Sequence, residues 1–335
     1  TLSLRSIRAE VVKVVDETAD TKSIWLRPNA RFGTYRPGAY VTFALRIDGQ
    51  LVRRSYSVSS APRADGLFSI TVKRVTGGLA SNWIADHVRV GQVLELSAPE
   101  GQFVLPERLP ERLLMLSAGS GITPVMSMLR QLVAAGTGQQ VTFLHFARSP
   151  RDVIFRQELE QIAQAHPNVT IAICVENAEP DAQWTGGLGR FSEEFLTEHA
   201  PEFRELDTYL CGPAGFMQAV MRCFERADAD LSKLRYERFD AALDPSMFLD
   251  HAQVVRFLRS GTESISNRPR TILEEAEAAG LTVEYGCRAG NCGSCRCRKQ
   301  SGVVVDVTTG LESGPNDEFI FPCISVARGT VEVDL

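Results

Sequence analysis

Four cysteines near the C-terminal end of the chain have the spacing of iron–sulfur ligands. Cys287, Cys292 and Cys295 follow the pattern C-x4-C-x2-C, and Cys323 stands farther along the chain. A [2Fe–2S] cluster needs four converging thiolates, and this pattern with one distant cysteine can supply them. The sequence therefore predicts a metal centre that accepts one electron at a time.

Small residues surround these cysteines. Gly286, Gly290 and Gly293 let backbone N–H groups turn toward cluster sulfurs without Cβ clashes. Two alternatives stay open: a zinc site, which more usually shows two C-x2-C pairs, and disulfides, for which eight cysteines in 335 residues are few. Cys297 is a fifth thiol in this loop, either a competing ligand or a structural residue.

A second candidate site lies in the first hundred residues. Arg54-Ser55-Tyr56-Ser57 resembles the R-x-Y-S/T flavin motif of the ferredoxin–NADP reductase superfamily. The resemblance implies that Arg54 binds a flavin phosphate, that the Tyr56 ring lies along the isoalloxazine and that Ser57 hydrogen-bonds near flavin N5. Tyr56 and Ser57 are then catalytic candidates. The simpler alternative is an exposed arginine beside a packed strand aromatic.

The next motif follows about twenty residues later. Gly78-Leu79-Ala80-Ser81 resembles the superfamily's G-x-x-S segment, in which helix-terminal N–H groups hold the flavin pyrophosphate. A pyrophosphate implies FAD, whereas FMN needs only a monophosphate site. A loop that leads into a helix would explain the glycines without any cofactor.

Two loops in the middle of the chain follow buried-type strands. In residues 118–124, Gly119 and Gly121 let the backbone approach a nucleotide pyrophosphate, with Thr123 and Pro124 in the following helical turn. The loop departs from G-x-G-x-x-G because Pro124 replaces the last glycine. That departure is itself the pattern of the same superfamily.

The second loop is Cys211-Gly212-Pro213. In the superfamily, C-G-P lies where the nicotinamide approaches the flavin, so Cys211 is a catalytic candidate for placing the nicotinamide; a small buried strand-end residue is the alternative. Arg148 and Ser149 stand where such reductases meet the adenosine ribose. They favour NADPH, but NADH-using relatives also carry arginine there, so both nucleotides stay open.

The elements that position these motifs form three segments. Residues 1–107 alternate apolar and polar residues around Asp-Gly turns, which predicts an antiparallel Greek-key β-barrel with a short helix at 81–88. Residues 108–238 alternate buried-type strands with helix-length segments, which predicts a doubly wound parallel sheet for the nucleotide.

The last segment reads as a small α+β domain of the β-grasp type, at residues 250–335, after a linker at residues 239–249. Thr271 and Glu274 have capping-box spacing at the start of a predicted helix. Phe239 belongs to an E-x-F motif that related reductases place close to the flavin, although linker packing would explain it equally.

Composition excludes some classes of function. The chain has a net charge of −5 and 23% charged residues, with no basic excess for nucleic-acid binding. No apolar run approaches the ~18 residues of a membrane span. Thiolate ligands and the absence of an apolar leader predict a cytoplasmic location.

Together the three segments resemble a ferredoxin–NADP reductase-like flavoprotein with a C-terminal plant-type [2Fe–2S] ferredoxin domain, as in phthalate dioxygenase reductase. The resemblance implies electron flow from NAD(P)H through flavin and cluster to an external metal oxygenase, hydroxylase or fatty-acyl desaturase, which could be membrane-bound. The alternatives are a self-contained NAD(P)H oxidase or redox sensor, and a zinc-bearing docking module.

Basic residues are concentrated at the cluster loop. They are Arg288, Arg296, Arg298 and Lys299, although residues 250–335 carry nine basic and twelve acidic residues. The concentration predicts a docking face for an acidic patch on the electron acceptor. A solvated surface is the alternative.

Overall fold

The chain divides into two units, Thr1–Arg238 and Phe239–Leu335. The computed structural model describes residues 7–136, 138–178, 184–239, 253–267, 270–286, 288, 290, 293–307 and 311–335. Most of the predicted linker, residues 240–249, lies outside these described residues. The finer domain boundaries at 107 and 250 stay predictions.

The first half of the N-terminal unit is an antiparallel sheet of six strands. These are β1 (Ile7–Thr18), β2 (Thr21–Pro28), β3 (Tyr40–Ile47), β4 (Gln50–Ser57), β5 (Phe68–Lys73) and β6 (Val93–Leu96). Their order is β4-β3-β6-β1-β2-β5, and a bridge between Val58 and Ile70 joins the two edges. The predicted barrel is therefore confirmed, with Phe43, Ile24 and Ile70 fully buried in its core.

Helix α1 (Leu79–His87) lies between β5 and β6. It begins two residues before the predicted start at residue 81. Ala80, Ser81 and Ile84 are buried against the barrel, whereas Leu79 is 47% exposed.

The second half of this unit is a parallel sheet of six strands. They are β7 (Arg112–Ala118), β8 (Gln140–Ala147), β9 (Val169–Val175), β10 (Gly187–Leu188), β11 (Asp207–Cys211) and β12 (Leu234–Glu237), in the order β10-β9-β8-β7-β11-β12. Helices α2 (Ile122–Ala135), α3 (Arg156–Ala165), α4 (Glu193–His199) and α5 (Ala214–Arg226) lie between strands. Residues of α2 and α3 pack on one face of the sheet and residues of α4 and α5 on the other, which confirms the doubly wound prediction.

The C-terminal unit contains β13 (Gln253–Phe257), β14 (Thr262–Ser266), α6 (Ile272–Ala278), β15 (Cys297–Asp306), β16 (Glu318–Ile320) and β17 (Ser325–Val333). The strand order is β14-β13-β17-β15-β16, with β13 and β17 parallel and the other pairs antiparallel. The predicted capping box is present, because Thr271 Oγ1 accepts from Glu274 N and Glu274 Oε2 accepts from Thr271 N. Within the part of the chain described, no helix combines the length and apolarity needed to cross a membrane.

Candidate functional site

The flavin motif forms the end of β4, at an edge of the barrel sheet. Arg54, Ser55 and Tyr56 are half-buried, and Ser57 is buried. The Tyr56 ring meets Phe43 edge-on, with the ring centroids 6.0 Å apart, and burial raises the pKa of its phenol. Ser55 Oγ lies 2.8 Å from Thr42 Oγ1 on β3. This strand end therefore offers a partly covered face with one aromatic ring and one guanidinium.

Ser57 connects the barrel to the parallel sheet. Its hydroxyl donates to Glu237 Oε2 at 3.3 Å, and both residues are buried. Glu237 ends β12 and stands in register with Cys211 at the end of β11. The fold therefore brings the flavin motif and the C-G-P loop, which are predicted separately, to the same place in the molecule.

Glu237 is the site residue that the sequence analysis missed. It belongs to Tyr236-Glu237-Arg238-Phe239, but that segment was interpreted only for its aromatic residue. The signal for it was weak, because its partner Ser57 lies 180 residues earlier in the chain. Phe239 begins the second unit and is 38% exposed.

The start of α1 has the geometry of a phosphate-binding turn. Gly78 is the N-cap residue, and a Cβ on it would lie 2.7 Å from Ser81 Oγ and 2.9 Å from Val75 Cβ. Ser81 Oγ accepts from Val75 N at 3.2 Å, which holds the turn closed. The N–H groups of the first helical turn have no partner within the helix, so they suit an anion. The predicted segment 78–81 thus forms a tight turn that leaves no room for a Cβ at Gly78.

The first nucleotide loop is a tight turn between β7 and α2. Gly119 has a positive φ of 53°, and Thr123 Oγ1 donates to Ser120 O at 3.1 Å. Pro124 is buried in the first turn of α2, where the missing N–H of proline leaves no helical bond unmade. No side-chain cap covers the start of this helix. The backbone of the turn is therefore available for a phosphate.

The two nucleotide loops are in direct contact. A Cβ on Gly121 would lie 2.3 Å from Cys211 O and 2.5 Å from Gly212 N, and a Cβ on Gly212 would lie 2.7 Å from Phe216 Cδ1. Cys211 is fully buried, and Pro213 caps the start of α5. The parallel pairing of β11 with β7 sets this contact, because the two loops follow the carboxyl ends of these neighbouring strands.

Arg148 and Ser149 follow the carboxyl end of β8, on the same side of the sheet as these two loops. Arg148 is exposed, and the Ser149 hydroxyl donates to Asp152 Oδ2 at 2.7 Å. Ser149, one of the two residues expected to bind a phosphate on the ribose, is therefore already hydrogen-bonded to the Asp152 carboxylate.

Two of the four predicted cluster ligands lie within the described residues. Cys295 and Cys323 are both buried and share one apolar cluster with Leu273 and Ile324. Cys287 and Cys292 lie outside the described residues. A Cβ on Gly290 would lie 2.5 Å from Ile324 Cδ1, so the cysteine loop turns closely against the segment after Cys323. This cradle and the thiol donors fit a [2Fe–2S] cluster.

Cys297 lies in a different environment from these two thiols. It pairs with Ile320 across β15 and β16 and packs in the apolar cluster of Val255, Phe257 and Val333. The structure therefore places the fifth thiol in the domain core and not with Cys295 and Cys323.

The basic residues of the loop are largely neutralised. Arg288 pairs with Glu277, Arg298 Nε donates to Asp317 Oδ1 at 2.6 Å, and Lys299 is fully buried. Arg296 makes no ion pair within the described residues, and its guanidinium lies 4.0 Å from the centroid of the Phe319 ring. The basic face that the sequence suggested is reduced to one arginine, Arg296, which has no ion pair among the described residues and lies on an exposed aromatic ring.

Three family models match successive parts of the chain. They are the oxidoreductase FAD-binding domain at residues 8–105, the oxidoreductase NAD-binding domain at residues 115–222 and the 2Fe-2S iron–sulfur cluster binding domain at residues 257–328. Fold and site thus define a flavin- and iron–sulfur-containing oxidoreductase. The predicted FAD, NAD and [2Fe–2S] domains are confirmed.

Known proteins extend this match over the whole chain. It is 34% identical over 337 residues to an NADPH oxidoreductase of Mycobacterium tuberculosis, covering 99% of this chain and 85% of that protein. It is 33% identical over 345 residues to the glycine betaine monooxygenase reductase subunit of Pseudomonas aeruginosa, covering 96% and 93%. The structure of phthalate dioxygenase reductase matches with a TM-score of 0.66 and 25% identity, covering 99% of this chain and 98% of that one. The chain belongs to the family of modular reductases with the phthalate dioxygenase reductase arrangement.

Proposed function

We propose that this protein is an electron-transfer reductase that takes a hydride from NAD(P)H and delivers single electrons to an external metal oxygenase. The observation that carries the proposal is the Ser57–Glu237 contact, with Glu237 in register with Cys211. It brings the flavin motif to the nicotinamide loop. When bound, FAD accepts the hydride and the [2Fe–2S] cluster passes on electrons singly.

The residues of the barrel hold and orient the flavin in this proposal. Arg54 and the N-terminal turn at residues 78–81 bind its phosphates, with Ser55 supporting the strand through Thr42. Tyr56 covers the ring. Ser57 donates a hydrogen bond to Glu237, which leaves the lone pairs of its oxygen able to accept a hydrogen bond from the flavin.

The parallel sheet holds the nucleotide. Gly119, Gly121, Thr123 and Pro124 form the pyrophosphate turn, while Arg148 and Ser149 face the ribose. Cys211, Gly212 and Pro213 position the nicotinamide, and the burial of Cys211 excludes water from that side. Phe239 is proposed to lie against the flavin. Cys287, Cys292, Cys295 and Cys323 ligate the cluster.

The acceptor is proposed from the relatives. Three similar proteins are named as reductase subunits or components: of glycine betaine monooxygenase, of stachydrine N-demethylase and of 3-ketosteroid-9α-monooxygenase. Two of these three names print a monooxygenase, which supports a terminal oxygenase as the partner. A hydroxylase or a desaturase is the finer alternative, and a cytoplasmic location goes with the proposal.

Anaerobic stopped-flow measurements test the relay. In the Cys323→Ser variant, we expect NAD(P)H still to bleach the flavin, whereas the reduction of cytochrome c and the rhombic EPR signal should be lost. Cys297→Ser is the matched control, because that thiol packs in a different apolar cluster from Cys295 and Cys323; we expect it to keep both signals. Undiminished cytochrome c reduction by Cys323→Ser would show that electrons leave directly from the flavin.

A further inference from the structure

Helix α2 is fastened to the barrel by two hydrogen bonds to main-chain carbonyls. Ser127 Oγ donates to Ser60 O at 2.6 Å, and Arg130 Nη1 donates to Ser59 O at 2.6 Å. Ser127 is fully buried, so its hydroxyl has left water for this contact. Tyr35 also reaches Ser60 O, at 3.2 Å, from within the barrel.

The Arg130 side chain is held on both sides. Its Nε and Nη2 atoms donate to the two carboxylate oxygens of Glu158 on α3 at 2.8 and 2.6 Å. Its guanidinium lies 4.4 Å from the centroid of the Phe155 ring. A guanidinium that makes a bidentate ion pair and stacks on a ring is held in one orientation, which directs its Nη1 at Ser59 O.

The receiving segment is equally fixed within the barrel. Val58 bridges to Ile70, and Ser59 N donates to Ser69 O at 2.8 Å. Ser59 and Ser60 follow the flavin motif by only two and three residues. A displacement of this segment would therefore move Ser57 as well.

The other end of α2 carries the nucleotide turn. Ser127 lies five residues beyond Ile122, which is ~7.5 Å along a helix axis, and Arg130 lies ~12 Å along it. Gly121, at the start of α2, packs on Cys211 and Gly212. One short, rigid helix thus connects the nicotinamide loop to the strand end with the flavin motif.

We infer that Ser127 and Arg130 are positioning residues that fix the spacing between nicotinamide and flavin. The inference rests on the proposed function. A hydride moves only when its donor and acceptor atoms lie about 3–3.5 Å apart, so a small shift of α2 slows the transfer without removing either binding site. Loss of the anchors should therefore lower the rate of flavin reduction more than it weakens nucleotide binding.

Anaerobic flavin reduction in Ser127→Ala, Arg130→Met and the double variant tests this inference. We expect the double variant to reduce its flavin at least tenfold more slowly at saturating nucleotide. The Kd of the oxidised nucleotide should change less than twofold, and the long-wavelength absorbance of the stacked nicotinamide–flavin pair should be lost. Arg130→Lys should recover part of the rate.

Arg156 provides the matched control on the neighbouring helix. It is half-buried and pairs with Glu160 at 2.9 Å within α3, so Arg156→Lys and Arg156→Met should change neither rate nor absorbance. Rates within twofold of the parent protein in all anchor variants, or weaker binding at an unchanged rate, would overturn the inference. If Arg130→Met does not fold, Ser127→Ala and Arg130→Lys decide the question. A parent protein whose flavin neither NADH nor NADPH reduces would instead refute the proposed function.

Discussion

Gly121 is a position where the structure makes a strict demand on residue size. A Cβ there would lie 2.3 Å from Cys211 O and 2.4 Å from Cys211 C, whereas ordinary contacts begin at 3.4 Å. These are backbone atoms, so no side-chain rotation can relieve the clash. In Gly121→Ala the two loops must move apart by about 1 Å, which is the difference between those distances.

That movement has two measurable costs. Forcing a methyl group into a packed contact typically destabilises a protein by about 1–3 kcal/mol. A misplacement of about 1 Å at reacting groups can slow a reaction ~10²-fold. We therefore expect Gly121→Ala to unfold at lower denaturant concentration and to reduce its flavin about a hundredfold more slowly with saturating NAD(P)H.

Gly215→Ala is the matched control for this substitution. A Cβ on Gly215 would meet no atom within 4 Å, and the residue lies in α5 four positions after Cys211. Alanine favours a helix over glycine by up to ~1 kcal/mol, so this variant should be as stable as the parent protein or more so. The reasoning fails if Gly121→Ala matches Gly215→Ala in both unfolding and flavin reduction.

Three further predictions concern charged and titratable groups. Lys299→Met should destabilise the C-terminal unit by about 3–5 kcal/mol in chemical unfolding, because three backbone carbonyls lose a buried ammonium donor. Burial lowers the pKa of His145 to about 3, so its folded form binds fewer protons than the unfolded chain, and stability should fall as pH drops from about 6.5 toward 3, by up to ~1.4 kcal/mol per pH unit in denaturant titrations. Arg296→Glu should slow electron transfer to the acidic cytochrome b5 and weaken its salt dependence.

Each of these predictions has an internal control. Gln300→Met replaces an exposed neighbour of Lys299 and should leave unfolding unchanged. His145→Gln should flatten the pH dependence, whereas His166→Gln should retain it. Arg298→Gln removes an arginine already paired with Asp317 and should leave the cytochrome b5 rate within twofold. An Arg296→Glu rate and salt slope equal to those of the parent protein would exclude docking at this arginine.

The strands with the clearest signal in the sequence are those with an unbroken pattern. Strands β3, β5 and β6 alternate or run apolar, and the parallel strands β7, β8 and β11 are mostly buried. Strands β1 and β2 were not predicted individually. Register shifts at Val11/Lys13 and Asp16/Thr18 change which face each residue occupies, so a period of two cannot persist along β1.

In the candidate site, contacts between residues far apart in the sequence were also not predicted. Motifs within ten residues, such as those at Gly78 and Gly121, were recognised by their resemblance to superfamily motifs. The partners of Arg288 and Arg298 are carboxylates 11 and 19 residues away, so a count of charges along the loop overstated its basic character. Glu237 was missed because only the tertiary fold brings it to Ser57.

The division of the chain into units agrees with the two kinds of chemistry proposed. Hydride transfer requires atoms at about 3–3.5 Å, and the barrel and parallel sheet that would supply that contact belong to one unit, joined through Ser57, Ser127 and Arg130. Single-electron transfer forms no bond at the donor, so it does not need the same fixed contact. The cluster domain can therefore be a separate unit, Phe239–Leu335, with its own core around Phe257 and Val333. Substitutions that loosen α2 should thus slow flavin reduction and leave the EPR signal of the chemically reduced cluster unchanged.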